Sequence, residues 1–507
     1  MNLKIFNLSL FYFLSIGIVF SQSLTKQQML EDVNYLDSVL KTSYSAYEFR
    51  EKYTGLNINS YTQKIKDKIA NKNVSRDEFY YLIKSILTYT QDEHNTIIHP
   101  SFLNGYSHDI TKSIISSESI RKQSSIAYYN SFDYLQSNIK FNPKFLCVRY
   151  VDGKYYNSLP LKIGTHRLKN GMQIVKINGK NIDDVINQNL DNLYCSWDKK
   201  NKKYYSEFFY RAHREILNRD TVKLTFKDTI NNNLIDVAMS NSSKIKVKKL
   251  PWITIEINNT LYFKDEKILY IRLLSLQEEI VQKYILNEIP KYNDKEVKKV
   301  VIDIRGNLGG NDLLWVKTLN LIIDKPLNTS VSVGAKDIEK SKLFYSDIVE
   351  HSTHIDKYPF IKTNFLRLNL SKQIAEFIKP DSNSIKYAGK IYIIQDRNIF
   401  SSAVGLSSLS QYSDRFKVIG EPNGKLGGMG EEPLVFLLPN SRILFSVITT
   451  LDKTIVNKPF DFLNKVDITV SYSIRDWYLR DSKSWNLYSK RFLRKKDVMF
   501  KTVMELD

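Results

Sequence analysis

Two short loops carry residue types that could do chemistry. One is glycine-rich, Asp303-Ile304-Arg305-Gly306-Asn307-Leu308-Gly309-Gly310-Asn311-Asp312. The other, Asp396-Arg397-Asn398-Ile399-Phe400-Ser401-Ser402-Ala403-Val404-Gly405, puts two serines before a helix-like run. Each follows a continuous apolar run, Val300–Ile304 or Ile391–Ile394, of the kind that forms a strand buried on both faces. Open α/β sheets place their sites at the carboxyl ends of such strands. A serine at a strand-to-helix turn meets unpaired N–H groups and the positive end of a helix dipole, which stabilise a developing oxyanion. Ser402 is therefore a candidate nucleophile, with the Ala403 N–H as one donor. Gly309 or Gly310, where backbone can approach closely, would supply the second. The competing reading is simple N-capping by Ser401 or Ser402.

A proton acceptor has two candidates, His94 in the polar segment Gln91-Asp92-Glu93-His94-Asn95-Thr96, and Lys425 in Gly424-Lys425-Leu426. A neutral histidine is a ready base, whereas a lysine must first be desolvated. In the plainer reading His94 is a polar helix cap and Lys425 a solvated loop residue. Metal chemistry has little to stand on. His94/His99 and His351/His354 make no H-E-x-x-H pattern, and no carboxylate completes a helical site. The glycine loop lacks the GK[ST] ending of a phosphate loop and the spacing of a dinucleotide fingerprint. No cofactor is called for.

Positioning these loops takes a substantial fold. The chain has 507 residues, enough for about three domains, and its 42% hydrophobic share supports real cores. Two cysteines, Cys147 and Cys195, exclude a disulfide scaffold and allow at most one bridge. The net charge of +20 is scattered, and its densest runs, Lys199–Lys203 and Lys490–Lys496, lie in no nucleic-acid fold signature. A solvated basic surface is expected, with no specific nucleic-acid partner. Met1–Ser21 has the basic start, apolar run and small residues before a cleavage point that mark a secretory signal peptide. No later stretch is long and apolar enough for an integral membrane span.

Residues 22–135 read as an N-terminal helical domain, with capping pairs at Thr25/Gln28 and Ser75/Glu78 before apolar stripes. Residues 140–245 change to short β-like runs, with Val222–Phe226 and Leu234–Met239 as a closing pair. Residues 250–507 alternate strand and helix, which implies a mixed or parallel sheet with helices packed on it. Leu434–Leu438 and Ile443–Ile448 form a hairpin. The class is α/β (α+β) and multidomain.

Several segments together resemble a family. Val301-Ile302-Asp303-Ile304-Arg305-Gly306-Asn307-Leu308-Gly309-Gly310 resembles the D-L-R-x-N-x-G-G segment of the tail-specific (C-terminal-processing) serine peptidases, family S41. Gly389–Ile394 with Phe400–Ala403 resembles its nucleophile segment, Val418–Gly424 its v-i-G-E-p-T-g-G, Leu438–Ser441 its L-P-N-S, and Val466–Val470 its P-D-i-x-V. Residues 168–180 resemble the glycine-turn heart of PDZ domains, with Met172 in place of the usual acid. Asp92–Thr96 occupies the place of the D-G-H-T motif of the tricorn-like branch, with Glu93 for glycine and Asn95 inserted.

The resemblance implies a mixed-sheet peptidase core of the ClpP/crotonase-like kind behind a PDZ-like insert. It also implies an exported, periplasmic or secreted serine endopeptidase acting on peptides or unfolded proteins. Ser402 would attack, His94 would carry the proton, and Ala403 with Gly309 or Gly310 would hold the oxyanion. The processing peptidases use a lysine near Lys425 instead, which keeps a Ser/Lys dyad as the alternative mechanism. No acid to orient His94 is identified, since Asp92 is only its sequence neighbour. The departures at Glu93, Asn95 and Asn423 also admit a catalytically inactive peptide- or ligand-binding protein on the same fold.

Overall fold

The computed structural model describes residues 24–99, 146–211, 221–240, 258–327, 332–336, 355–357, 364–369, 378–426, 433–452, 465–482 and 485–506. The signal-peptide segment, residues 100–135 and the His351/His354 pair lie outside them.

Four helices come first among the described residues: α1 (Lys26–Ser43), α2 (Tyr47–Thr54), α3 (Ile58–Asn71) and α4 (Arg76–Tyr89). Thr25 and Gln28 form the expected reciprocal capping box, and Ser75 accepts from the Glu78 N–H. Their apolar faces share one core with a later hairpin, through Leu36, Leu40, Phe79 and Ile83 against Phe436, Phe445 and Val447.

The β-rich region holds β1 (Val148–Val151), β2 (Lys154–Asn157), β3 (Gln173–Ile177), a helix α5 (Ile182–Asn187), β4 (Ser196–Asp198), β5 (Lys203–Tyr205), β6 (Thr221–Lys227) and β7 (Leu234–Ser240). Its main sheet runs in the order β1-β2-β3-β6-β7, and β6 and β7 are the anticipated antiparallel closing pair. Its core also takes in Phe49 and Leu56 from the N-terminal helices and Leu426 and Leu451 from the C-terminal half, so it packs as part of the whole.

The C-terminal half is built on one six-stranded mixed sheet. Its elements are β8 (Asn259–Phe263), β9 (Ile268–Arg272), β10 (Lys299–Asp303), the helix α6 (Asp312–Asn320), β11 (Ile391–Gln395), the helix α7 (Ser402–Ser408) and β12 (Phe416–Gly420). The hairpin β13 (Leu434–Leu437) and β14 (Leu444–Val447), the edge strand β15 (Ile468–Thr469), and helices α8 (Ile474–Asp481), α9 (Lys490–Lys496) and α10 (Val498–Glu505) follow. The order is β8-β9-β10-β11-β12-β15, antiparallel only between β8 and β9. The apolar runs at β10 and β11 are buried because helices cover both faces of the sheet.

Asp303, the last residue of β10, is fully buried and surrounded by donors. The Arg305 Nε donates to its two oxygens at 2.9 and 3.0 Å, the Arg272 Nη1 to Oδ1 at 3.2 Å, and the Tyr270 hydroxyl to Oδ2 at 2.6 Å. Arg305 in turn donates to Asp497 at 2.6 Å, where α10 begins, and to the Tyr472 hydroxyl. Burial alone would raise the Asp303 pKa, but the charges of Arg305 and Arg272 outweigh it and hold the carboxyl well below the usual range. Removing one member of a buried ion cluster strands the others, at a cost of about 3–5 kcal/mol.

A folded-state pKa below the unfolded one contributes stability that is present above the unfolded pKa and lost as pH falls through the folded one. Asp303→Asn should therefore lower unfolding free energy by about 3–5 kcal/mol near neutral pH in a denaturant titration. The gap to wild type should narrow once pH drops below about 4. Equal stability at neutral pH would show that the cluster contributes nothing.

Candidate active site

The strand-to-helix turn after β11 has the strain expected of a presented side chain. Ser401 sits at φ +52°, unusual for a non-glycine residue, and makes no side-chain cap bond. The capping reading therefore fails for Ser401. Ser402 starts α7 and is 7% exposed. Its hydroxyl donates to Asp312 Oδ1 at 2.5 Å, across the loop at the start of α6. The same oxygen accepts from Trp315 Nε1 at 2.8 Å.

The glycine-rich loop is what holds that turn. Buried Asn307 donates from its side chain to the Leu273 carbonyl at 2.8 Å and accepts from the Gly309 N–H at 2.7 Å. Its own carbonyl accepts from the Phe400 N–H at 3.0 Å. Gly309 has φ +98°, and a Cβ there would lie 2.8 Å from Ser401 Cβ and 2.9 Å from the Phe400 carbonyl oxygen. Only glycine lets the two loops meet this closely.

These bonds sort the three expected oxyanion donors. The Gly309 N–H is taken by Asn307, and the Ala403 N–H donates to the Phe400 carbonyl at 3.2 Å. Neither points unengaged at an incoming oxygen. The Gly310 N–H has no acceptor among the described residues, and neither has the N–H of Ser402 itself, which the sequence reading did not consider.

His94 arrives from the other end of the chain. Its ring stacks on Phe400, with centroids 4.4 Å apart, two residues before Ser402. Its Nδ1 lies 3.1 Å from Asp92 Oδ1, which also accepts the His94 backbone N–H at 3.2 Å. Asp92 is fully buried, and its other oxygen accepts from Tyr44 at 3.1 Å and Arg50 at 3.3 Å. Burial raises its pKa, but bonding to His94 and the charges of His94 and Arg50 win, and the carboxyl is held low. An ionised carboxylate only accepts, so whenever the ring is neutral Nδ1 carries its proton and Nε2 the lone pair. Asp92 is thus the acid placed to orient the His94 ring. Its only trace in the sequence is the Asp-x-His spacing; Tyr44 and Arg50, which fix it, left none. No hydrogen bond joins His94 to Ser402 among the described residues.

The departures from the D-G-H-T pattern have partners. Glu93 accepts from Lys425 Nζ at 2.7 and 3.0 Å, so Lys425 is ion-paired and lies 5.5 Å from the Phe400 ring centroid. Asn95 is buried, accepts from the Ile448 N–H at 2.9 Å, and donates to Thr90 at 3.1 Å. Ser446 of β14 donates its hydroxyl to the His94 carbonyl at 2.6 Å. The histidine segment is thereby fastened to the β13–β14 hairpin.

The β-rich region touches this site. The Trp197 N–H donates to the Gly424 carbonyl at 2.7 Å, and Ser196 forms a β-bridge with Lys425. Gln91 donates to the Leu193 carbonyl at 3.0 Å and accepts from the Cys195 N–H at 2.7 Å. Cys147 and Cys195 are not joined by a disulfide, so the one bridge they could have made is not formed. Among the described residues, no group of three or more His, Cys, Asp or Glu side chains could hold a metal ion.

Residues 267–451 match the model of peptidase family S41. The span covers β9 to β14 and the two loops just described. Among solved structures, the chain resembles mature CPAF at 13% identity and TM-score 0.56, covering 91% of this chain and 96% of that one. The structure titled as the CPAF s499a mutant, at 12% identity and TM-score 0.54, is covered to 99% by 96% of this chain. At such identities the likeness is one of fold. No curated protein matches the sequence.

Gly309→Ala should force a Cβ into the Ser401 turn and an unfavourable φ at once. We expect a loss of about 1–3 kcal/mol of stability in thermal or denaturant unfolding. A variant as stable as wild type would show that the two loops can separate freely.

Proposed function

We propose that this chain, with its S41-type domain, is an exported serine endopeptidase acting on peptides or unfolded protein. Ser402 is the nucleophile, His94 the base and Asp92 the residue that positions it. The observation that carries this reading is the buried Asp92–His94 pair stacked on Phe400, beside the strained turn that presents Ser402. Export rests on the Met1–Ser21 pattern. No helix among the described residues is long and apolar enough to cross a membrane.

The residues divide the work as follows. With Nδ1–H held by Asp92, His94 Nε2 takes the Ser402 proton as Oγ attacks the scissile carbonyl carbon, then returns it to the leaving amine. Water repeats the sequence in reverse to release the acyl group. The Gly310 and Ser402 N–H groups are the unengaged donors for the oxyanion. For this chemistry the Ser402 hydroxyl must turn from Asp312 toward His94. Lys425 is a positioning residue, because its ammonium is held by Glu93; a Ser/Lys dyad would have to break that pair. The β-rich region, by its PDZ-like turn, would hold a substrate strand.

One observation favours the second reading, an inactive peptide-binding protein: the Ser402 hydroxyl is bonded to Asp312 and not to His94. A serine-directed fluorophosphonate decides between them, and labelling confined to Ser402 establishes the enzyme. Peptide hydrolysis should then vanish in Ser402→Ala and fall by about 10³-fold or more in kcat in His94→Ala. Lys425→Met should cost roughly tenfold or less, as expected for support at one remove. A Lys425→Met loss that matches His94→Ala would move the base to Lys425.

A further inference from the structure

Asp312 is an exposed carboxylate beside the nucleophile with spare bonding capacity. Its Oδ1 accepts from Ser402 and from Trp315, while Oδ2 has no partner among the described residues, and no cation pairs with it there. On either side of it the chain exposes two large apolar side chains, Leu308 at 59% and Leu313 at 48%. Gly405, one turn along α7 from Ser402, leaves room for the carboxylate to sit against that helix, with Oδ1 3.8 Å from where a Cβ would be.

An aliphatic stem ending in a cation fits this combination. A lysine or arginine side chain can lay its methylenes on apolar surface while its head reaches a carboxylate. The geometry points to Asp312 as a specificity-determining residue that recognises a basic substrate residue next to the scissile bond. Binding there also releases the nucleophile. A ligand shifts a two-state equilibrium only through differential affinity, and a charge-assisted bond to ammonium or guanidinium outcompetes a neutral hydroxyl for the carboxylate. The hydroxyl so displaced is free to donate to His94 Nε2. This inference rests on the peptidase reading above.

The test compares matched peptides that differ only in lysine against norleucine beside the cleaved bond, on wild type and Asp312→Asn. Wild type should prefer lysine by roughly 10–100-fold in kcat/KM, and Asp312→Asn should bring that ratio close to one. Separately, n-butylammonium should accelerate fluorophosphonate labelling of wild-type Ser402 saturably, since it fills the cation site without a scissile bond. Should Asp312→Asn not fold, the wild-type ratio and the amine effect decide alone. A wild-type ratio at or below one overturns the assignment, as does a lysine preference that survives Asp312→Asn, while hydrolysis itself persists. If wild type cleaves neither peptide and Ser402 takes no label, the peptidase reading falls and takes this one with it.

Discussion

A buried carboxylate at the end of a central strand must be paired, and that requirement organises the C-terminal half of the molecule. Asp303 has no access to water, so its charge is tolerable only inside a shell of donors. Those donors come from β9 (Arg272, Tyr270) and from the residue two places on, Arg305. Arg305 then needs a second acid, which Asp497 supplies from the junction of α9 and α10. Bending the chain back so that Arg305 reaches Asp303 starts the glycine-rich loop, and that loop shapes the Ser401 turn through Asn307 and Gly309. The electrostatics of one strand end thus reach the Ser401–Ser402 turn through the loop backbone and the hydrogen bonds of Asn307.

The candidate base, His94, is delivered by a different device. His94 follows α4 in the N-terminal helical region, yet it sits on Phe400 because the segment after it joins the β13–β14 hairpin of the C-terminal half. Asp92 gives that segment its second anchor, since Tyr44 and Arg50 fix the carboxylate from α1 and α2. The two halves of the candidate dyad are therefore oriented by separate buried ionic groups.

Much of this was legible in the sequence, and the remainder has a common character. Continuous apolar runs located β10 and β11 because a strand covered on both faces has no polar side to show. The strand-to-helix change singled out Ser401 and Ser402, the family pattern chose Ser402 between them, and the order of the flanking motifs supplied the resemblance to family S41. What stayed hidden was tertiary. Ala403 and Gly309 looked like donors because a sequence cannot show that their N–H groups already have acceptors. Asp312 was in the quoted loop, but only the packing of α6 on α7 brings it to Ser402. Glu93 and Asn95 read as damage to a motif; in the fold each has a partner that the rest of the chain provides.

Those substitutions bear on how the β-rich region is connected to chemistry. Lys425 joins three things at once: a β-bridge to Ser196, an ion pair to Glu93, and a position over the face of Phe400 opposite in role to the His94 ring stacked there. With glycine at position 93 the lysine would lose its acid, and the histidine segment would lose one of its links to the β-rich region, beside those of Gln91 and Tyr194. The core of the β-rich region also includes Leu426, the residue next to Lys425. A displacement of β4 must therefore move residues 424–426, and with them the support under His94. Coupling of this kind needs no long pathway, because single side chains, Lys425 and Gln91 among them, span the gap. It makes the motif's apparent defect the point at which the three parts of the chain are mechanically joined.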